Sequence, residues 1–143
     1  GERTDPGTAS LPVVAARRWE EFKAVEGLNA DTWGQLKPYV TLLPEVTQVN
    51  ANTATPEVLY AVLKGASYSD TQALVAQRER VTFRSLNDIQ SALRGSATPN
   101  SALLTTKSSY FLVQGTTQVE EAVVRTEALL QRRDNRVFVL WRR

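Results

Sequence analysis

The stretch Val49-Asn50-Ala51-Asn52-Thr53-Ala54-Thr55-Pro56-Glu57-Val58-Leu59 joins a strand-like start, a polar turn and a helix start. Asn and Thr side chains bond to nearby backbone groups, so they are weak inside helices but good partners for the free N–H groups at a helix start. Thr55 is the predicted N-cap, because Pro56 then takes the first helical position, where a missing N–H costs nothing. The predicted structural motif consists of Asn50, Asn52, Thr53, Ala54, Thr55 and Pro56, together with the turn glycines Gly27 and Gly65.

A glycine separates two predicted helices on the N-terminal side of this motif. A helical pattern begins at Ala15 and is predicted to end at Gly27. Asn29 is predicted to cap a short second helix, which Pro38 ends. The large apolar residues at helical spacing in the first of these helices are Trp19, Phe22 and Val25.

The motif itself opens a second helix–glycine–helix unit. Its first helix is predicted from Pro56 to Leu63, and Gly65 supplies the turn. The next helix is predicted to start at a capping box, with Ser69 as N-cap and Gln72 reaching back to it. The unit is expected to bury one apolar face of each helix against the other.

A third helix is predicted after this unit. Its capping box runs from Ser85 to Asp88, and its apolar pattern continues to Leu93. A linker rich in Ser, Thr, Pro and Asn follows at residues 96–101. The helical part of the chain is therefore predicted to end near residue 100.

The pattern then changes to three antiparallel strands in a meander. Residues 109–114 are rich in β-forming side chains, Gly115-Thr116-Thr117 is predicted as a turn, and residues 119–131 alternate. Asp134-Asn135 is a hairpin-turn signal, and Val137–Trp141 forms the closing strand. That strand is apolar on both faces, so it needs cover from a helix or a partner.

Aromatic residues of these strands are the candidate interface. Tyr110 and Phe111 alternate across a strand, so one is expected to be buried and the other exposed. Trp141 lies near the chain end, where aromatic residues often anchor contacts. Regular alternation predicts one face with Phe138 and Leu140, and another with Val137, Val139 and Trp141.

Composition excludes several chemistries. The 143 residues include no Cys and no His, which removes thiol nucleophiles, disulfides, zinc fingers and Ser-His-Asp triads. No catalytic residues are predicted, and no cofactor is indicated. The formal net charge of +2 is uneven, since residues 125–143 hold six arginines against Glu127 and Asp134 and the residues before them carry −2.

The glycine-turned helix pairs allow one alternative, a helix-hairpin-helix module that binds nucleic acid. Such modules place backbone N–H groups at a glycine turn against a phosphate. The stretch from Val49 to Ser85 resembles that family, but Gly65-Ala66-Ser67-Tyr68-Ser69 has only the first of the two glycines that its strong members carry. A Cβ at Ser67 hinders the close approach of a phosphate, so no nucleic-acid partner is expected.

The order of several elements resembles another family, the minor pseudopilin K family of bacterial type II secretion systems. The resemblance runs from about Trp19 to the chain end. Its most specific part couples Asn50-Ala51-Asn52-Thr53-Ala54 to Ser108-Ser109-Tyr110-Phe111 and to a terminal Trp141-Arg142-Arg143. No nucleic-acid module requires that combination.

The resemblance implies an α+β chain of two domains. Residues 1–100 would be a helical subdomain, helix-hairpin-helix- or SAM-like, that forms the later part of an inserted helical domain. Residues 101–143 would be antiparallel strands of a pilin-like sheet. The hydrophobic N-terminal helix of the pilin fold is absent from this sequence, so we expect it in a longer parent protein.

The resemblance also implies a structural role and no enzyme activity. Members of that family sit at the tip of the periplasmic pseudopilus with minor pseudopilins I and J, begin its assembly and meet secreted substrates. They are anchored to the bacterial inner membrane by the N-terminal helix. Family members can bind calcium, but the carboxylates Glu120, Glu121 and Asp134 do not form a calcium loop, so no metal ligands are assigned.

Overall fold

A computed structural model describes residues 27–93 and 97–143. The chain divides into two units, one up to Thr47 and one from Gln48 to Arg143. Helices and an antiparallel sheet both occur, which agrees with the predicted α+β class. No helix in the described ranges has the length and apolar character needed to cross a membrane.

In the described part of the first unit, the α-helix α1 spans Ala30–Leu36. Asn29 caps it as predicted, because its Oδ1 accepts a hydrogen bond from Thr32 N at 2.8 Å. A 3-10 helix, Lys37–Tyr39, follows directly, with Pro38 in its first turn. Gly27 has φ +88°, the left-handed conformation expected of a turn glycine. The predicted helix with Trp19, Phe22 and Val25 lies outside the described residues.

The second unit begins with strand β1 at Val49–Asn50, and three helices follow it. These are α2 at Pro56–Val62, α3 at Tyr68–Arg78 and α4 at Leu86–Ala92. Thr55 is the N-cap of α2 with Pro56 in its first turn, which confirms that prediction. The capping box from Ser85 to Asp88 at the start of α4 is also confirmed.

The predicted cap of α3 was wrong by two residues. Ser67, not Ser69, is the N-cap, and Asp70 takes the position that had been given to Gln72. The Asp70 carboxylate accepts from the Ser67 N–H at 2.8 Å and from the Ser67 hydroxyl at 2.7 Å. A carboxylate is a stronger acceptor than an amide and is favoured near a helix N-terminus, so the helix starts where Asp70 can reach back.

The three helices share one core with a short strand that the sequence did not reveal. Strand β2, Leu104–Thr105, pairs in parallel with β1, so that Val49 lies opposite Leu104. The linker therefore returns the chain to the helices. The core consists of Ala51, Leu59, Leu63, Leu74, Phe83, Ile89, Leu93, Ala97 and Leu104.

The predicted three-stranded meander is confirmed. Strands β3 at Tyr110–Val119, β4 at Ala122–Arg133 and β5 at Arg136–Arg142 are antiparallel in the order β3-β4-β5. Asp134 and Asn135 form the second turn, both with positive φ, as type I′ geometry requires.

The first turn lies later than predicted. Gly115 is inside β3, where it pairs with Thr126. The chain instead reverses at Glu120 and Glu121, and Glu120 takes the positive φ of 55°. The predicted turn at Gly115 is wrong because Thr116, Thr117 and Val119 favour a strand, and the strand continues past the glycine.

A β-bulge changes the predicted faces of the last strand. Leu129 pairs with Trp141 but Leu130 pairs with Val139, so Leu140 is an extra residue. Trp141 therefore lies on the same face as Phe138, not on the face of Val137 and Val139. Regular alternation fails at this point because the bulge shifts it by one residue.

Candidate protein-interaction surfaces

The Asn50 side chain closes the polar turn that precedes α2. Its Oδ1 accepts from Asn52 N at 2.9 Å, and its backbone carbonyl accepts from Thr53 N and Ala54 N. Its Nδ2 donates to the Ser108 hydroxyl at 2.8 Å. Asn50 therefore links the turn to the segment that enters the three-stranded sheet.

Asn52 joins three separate segments of the second unit. Its Nδ2 donates to the carbonyl of Phe83 at 2.8 Å and to that of Thr106 at 3.1 Å. Its Oδ1 accepts from Phe83 N at 2.9 Å. A side-chain amide offers two N–H donors and an acceptor oxygen, which match the two carbonyls and the one N–H at this position.

Arg78, at the end of α3, completes the network. Its Nη1 donates to the carbonyls of Ala51 at 2.8 Å and Ala54 at 2.5 Å. No local sequence pattern indicates this contact, because Arg78 lies 24 residues or more from both acceptors. The side chains of the motif are thus engaged in holding the turn, and their arrangement is structural.

The hairpin between α2 and α3 does not offer a phosphate the N–H groups that a helix-hairpin-helix site would use. Gly65 has φ +86°, as a turn glycine should. However, the Asp70 carboxylate already accepts from the N–H of Ser67, and hydrogen bonding to Ser67 lowers the pKa of Asp70. A negative charge thus occupies the start of α3, where it would repel a phosphate.

One face of the three-stranded sheet, which we call the apolar face, is open to solvent. Cross-strand register places β3 residues of odd number opposite β4 residues of even number on this face. Its exposed large side chains are each between 40% and 63% exposed: Phe111, Val113, Val119, Val124, Val137 and Val139. Its only charged residues are Arg132 and Arg142, both toward the end where β5 pairs with β4.

The opposite face, which we call the mixed face, combines aromatic residues with a polar ladder. Gln114 Nε2 donates to Glu127 Oε1 at 2.7 Å, and Arg143 Nη2 lies 2.8 Å from Glu127 Oε2. The hydrogen bond from Gln114, with those from Arg143, lowers the pKa of Glu127. Arg143 also lies over the Trp141 ring at 5.0 Å.

The three predicted interface residues do not form one patch. Tyr110 and Trp141 belong to the mixed face, where Gln131 Nε2 donates to the Tyr110 hydroxyl at 2.8 Å. Phe111 lies on the apolar face, with the guanidinium of Arg132 5.2 Å from its ring centre. Sequence reasoning concentrated on aromatic residues and missed the valines, although alternation along β4 already marked one apolar side.

The carboxylates considered for calcium are far apart. Glu120 and Glu121 form one turn of the sheet and Asp134 lies in the other, at opposite ends of β4. Residues 27–93 and 97–143 contain no group of three or more Asp or Glu that could hold a metal ion. These side chains therefore do not fit a calcium site.

Comparison with known proteins gives one family. Residues 49–107 match the family model of the type II secretion system (T2SS), protein K. Type II secretion system protein K of Pectobacterium carotovorum subsp. carotovorum is 31% identical over 150 residues, which cover 94% of this chain and 45% of that protein. The protein of the same name from Aeromonas hydrophila is 31% identical over 146 residues, 92% of this chain and 44% of that protein. The resemblance found in the sequence is thereby confirmed, and the chain spans less than half the length of these relatives.

Proposed function

From its match to protein K of type II secretion systems, we propose that this chain is the later part of a minor pseudopilin, a structural subunit of the secretion pseudopilus. Its function is assembly with other proteins and not catalysis. The observation that carries the proposal is the open apolar face of the sheet, because an isolated soluble domain rarely leaves such a face uncovered.

The sheet lacks a core of its own. Of the side chains in β3, β4 and β5, all within the described part of the chain, Leu129 is the one that is buried. A sheet of three strands requires burial of at least one face for stability. The proposed cover of the apolar face is the hydrophobic N-terminal helix of a pilin-like fold, supplied by the longer parent protein.

The composition of the apolar face suits a helix. Gly115, Ala122 and Ala128 lie on it between the larger side chains, and small residues allow a helix to approach the strands closely. The charged residues of this face, Arg132 and Arg142, both lie in the half of the sheet where β5 pairs with β4. A helix could therefore lie over the other half, where β3 pairs with β4 alone, without burying a charge.

The helical and β parts take different roles in this proposal. Residues 1–100 form the later part of an inserted helical domain, and residues 101–143 supply strands of the pseudopilin body. The insert crowns the tip of the pseudopilus, where the protein begins assembly with minor pseudopilins I and J and meets secreted substrates. The parent protein is held at the inner membrane by its N-terminal helix and extends into the periplasm.

Single cysteines test the cover of the sheet, since the sequence contains no cysteine of its own. Val113 on the apolar face and Leu112 on the mixed face are 48% and 53% exposed, which makes them a matched pair. In the isolated chain, Val113→Cys and Leu112→Cys should react with a maleimide at similar rates. In the purified full-length protein, Val113→Cys should be protected and Leu112→Cys should remain reactive.

Two outcomes would count against different parts of the proposal. Equal reactivity of both cysteines in the full-length protein would exclude the helix on the apolar face. The secretory role is tested separately by deleting the gene in its own bacterium and assaying type II export, which should stop and be restored by the intact gene. Unchanged export would reject the role whatever covers the sheet.

A further inference from the structure

The turn between β4 and β5 carries a concentrated positive charge that the assembly of the sheet does not explain. Arg133 and Arg136, which we call the arginine pair, lie directly opposite each other at the last position of the β4–β5 ladder. We propose that the arginine pair binds an acidic peptide segment of a partner protein. This proposal is independent of the secretory role.

The arginine pair is costly for the sheet itself. Like charges directly opposite each other on one face of an antiparallel pair are destabilising. The nearest acid is Asp134, whose Oδ2 is 3.8 Å from Arg133 Nε, with the two side chains 72% and 89% exposed. An ion pair this long and this exposed compensates little of the repulsion. Within the described ranges, Arg136 forms no ion pair at all.

The neighbouring Arg132 differs from the arginine pair because its guanidinium contacts other parts of the sheet. Its Nη2 donates to the carbonyl of Ser108 at 2.9 Å, and its guanidinium lies over Phe111. It extends from the apolar face, away from the arginine pair. Among the described residues, the two arginines of the pair form no such hydrogen bond or ring contact, so they remain available to a ligand.

Aromatic side chains lie next to the pair on the mixed face. In the adjoining row of the sheet, Phe138 lies opposite Gln131, which lies opposite Tyr110. Phe138 is 45% exposed. Arginine and aromatic residues dominate the binding energy at many protein interfaces, and a guanidinium donates two parallel N–H hydrogen bonds to one carboxylate. The site therefore fits a segment in which acidic residues flank an apolar one.

The extent of the charge favours a peptide over nucleic acid. Further along the mixed face, Arg143 is neutralised by Glu127 at 2.8 Å. Positive charge therefore does not continue as the track that a nucleic-acid backbone needs, with its charge every few ångströms. Two adjacent guanidiniums match a pair of carboxylates.

The test uses the full 143-residue chain and a fluorescein-labelled peptide, Glu-Glu-Phe-Glu-Glu, with Gln-Gln-Phe-Gln-Gln as the neutral probe. Anisotropy measures affinity, and amide shifts of the isotopically labelled chain locate the site. The acidic peptide should bind and shift amides of residues 132–138, and salt should weaken the binding. The double variant Arg133→Gln/Arg136→Gln should bind about tenfold more weakly, as expected for two exposed ion pairs.

A matched control removes the same two charges elsewhere in β4 and β5. Arg125→Gln/Arg142→Gln should change the affinity by less than about twofold. Melting curves of both double variants should show an intact fold, with the first at least as stable as the parent because the repulsion is gone. Three results would overturn the proposal: equal binding of the neutral peptide, equal loss in both variants, or tighter binding of a labelled single-stranded tetranucleotide at the same amides.

Discussion

Asn52 shows how one side chain sets the position of distant segments. The sequence around it marked a capped turn, and the turn is there. The partners of its amide, however, are the backbone of Phe83 and the carbonyl of Thr106, 31 and 54 residues further on. No local pattern could reveal them, because they depend on where the loop after α3 and the segment after β2 come to lie.

Asn52→Ala should be strongly destabilising for this reason. It leaves one N–H and two carbonyl groups without their partners, so we expect the free energy of unfolding to fall by about 2 kcal/mol. Urea unfolding followed by circular dichroism measures it. Asn87→Ala, an exposed asparagine in α4, is the control and should change the free energy by less than about 0.5 kcal/mol. Similar losses in both variants would mean that the Asn52 network contributes nothing.

At the scale of helices and strands, prediction succeeded where the signal is local. The caps at Asn29, Thr55 and Ser85 follow from residue types within a few positions of the helix start. The cap of α3 was misplaced because Ser67 and Ser69 both have a partner three residues on, and only the geometry of Asp70 decides between them. Gly115 was read as a turn because a glycine permits one without requiring it.

Substitution by alanine should distinguish a glycine in a strand from a glycine in a turn, because the free energy of unfolding should change in opposite directions. Gly115 lies in a strand, and an added Cβ there meets nothing within 4 Å. Gly115→Ala should therefore raise the free energy of unfolding by about 0.5 kcal/mol, since Gly weakens a strand. Gly65 has φ +86° and its nearest neighbour would be Ala97 Cα at 3.7 Å, so the penalty there comes from backbone conformation and not from a clash.

Gly65→Ala should accordingly lower the free energy of unfolding by about 1 to 2 kcal/mol. The same urea titration measures both variants, and the unchanged chain is the reference. A loss of stability in Gly115→Ala comparable to that in Gly65→Ala would return Gly115 to the turn that the sequence alone predicted.

For the molecule as a whole, the sequence predicted the fold class and the three-stranded meander, but it predicted neither the pairing of β1 with β2 nor the bulge in β5. The parallel pairing of β1 with β2 brings Leu104 into the helical core, although composition placed residues 96–101 as a linker out of the helices. The bulge at Leu140 could not be predicted, because apolar residues occupy both faces of β5 and alternation carries no information there. Both faces being apolar did, however, indicate that the sheet needs a cover.

A helix over the apolar face should make that face sensitive to an added charge. Val123 and Val124 are neighbours in β4, 54% and 56% exposed, and they lie on the mixed and apolar faces respectively. In the isolated chain, Val123→Arg and Val124→Arg should each change the free energy of unfolding by less than about 0.5 kcal/mol, because both positions are open to water. In the full-length protein, Val124→Arg would place a charge beneath the proposed helix, where burial without a partner is costly. We expect it to abolish accumulation of the protein and type II export in a complementation assay, while Val123→Arg restores export. Equal behaviour of the two variants would mean that the two faces are equally free in the assembled protein, and the apolar face would lose its assigned role.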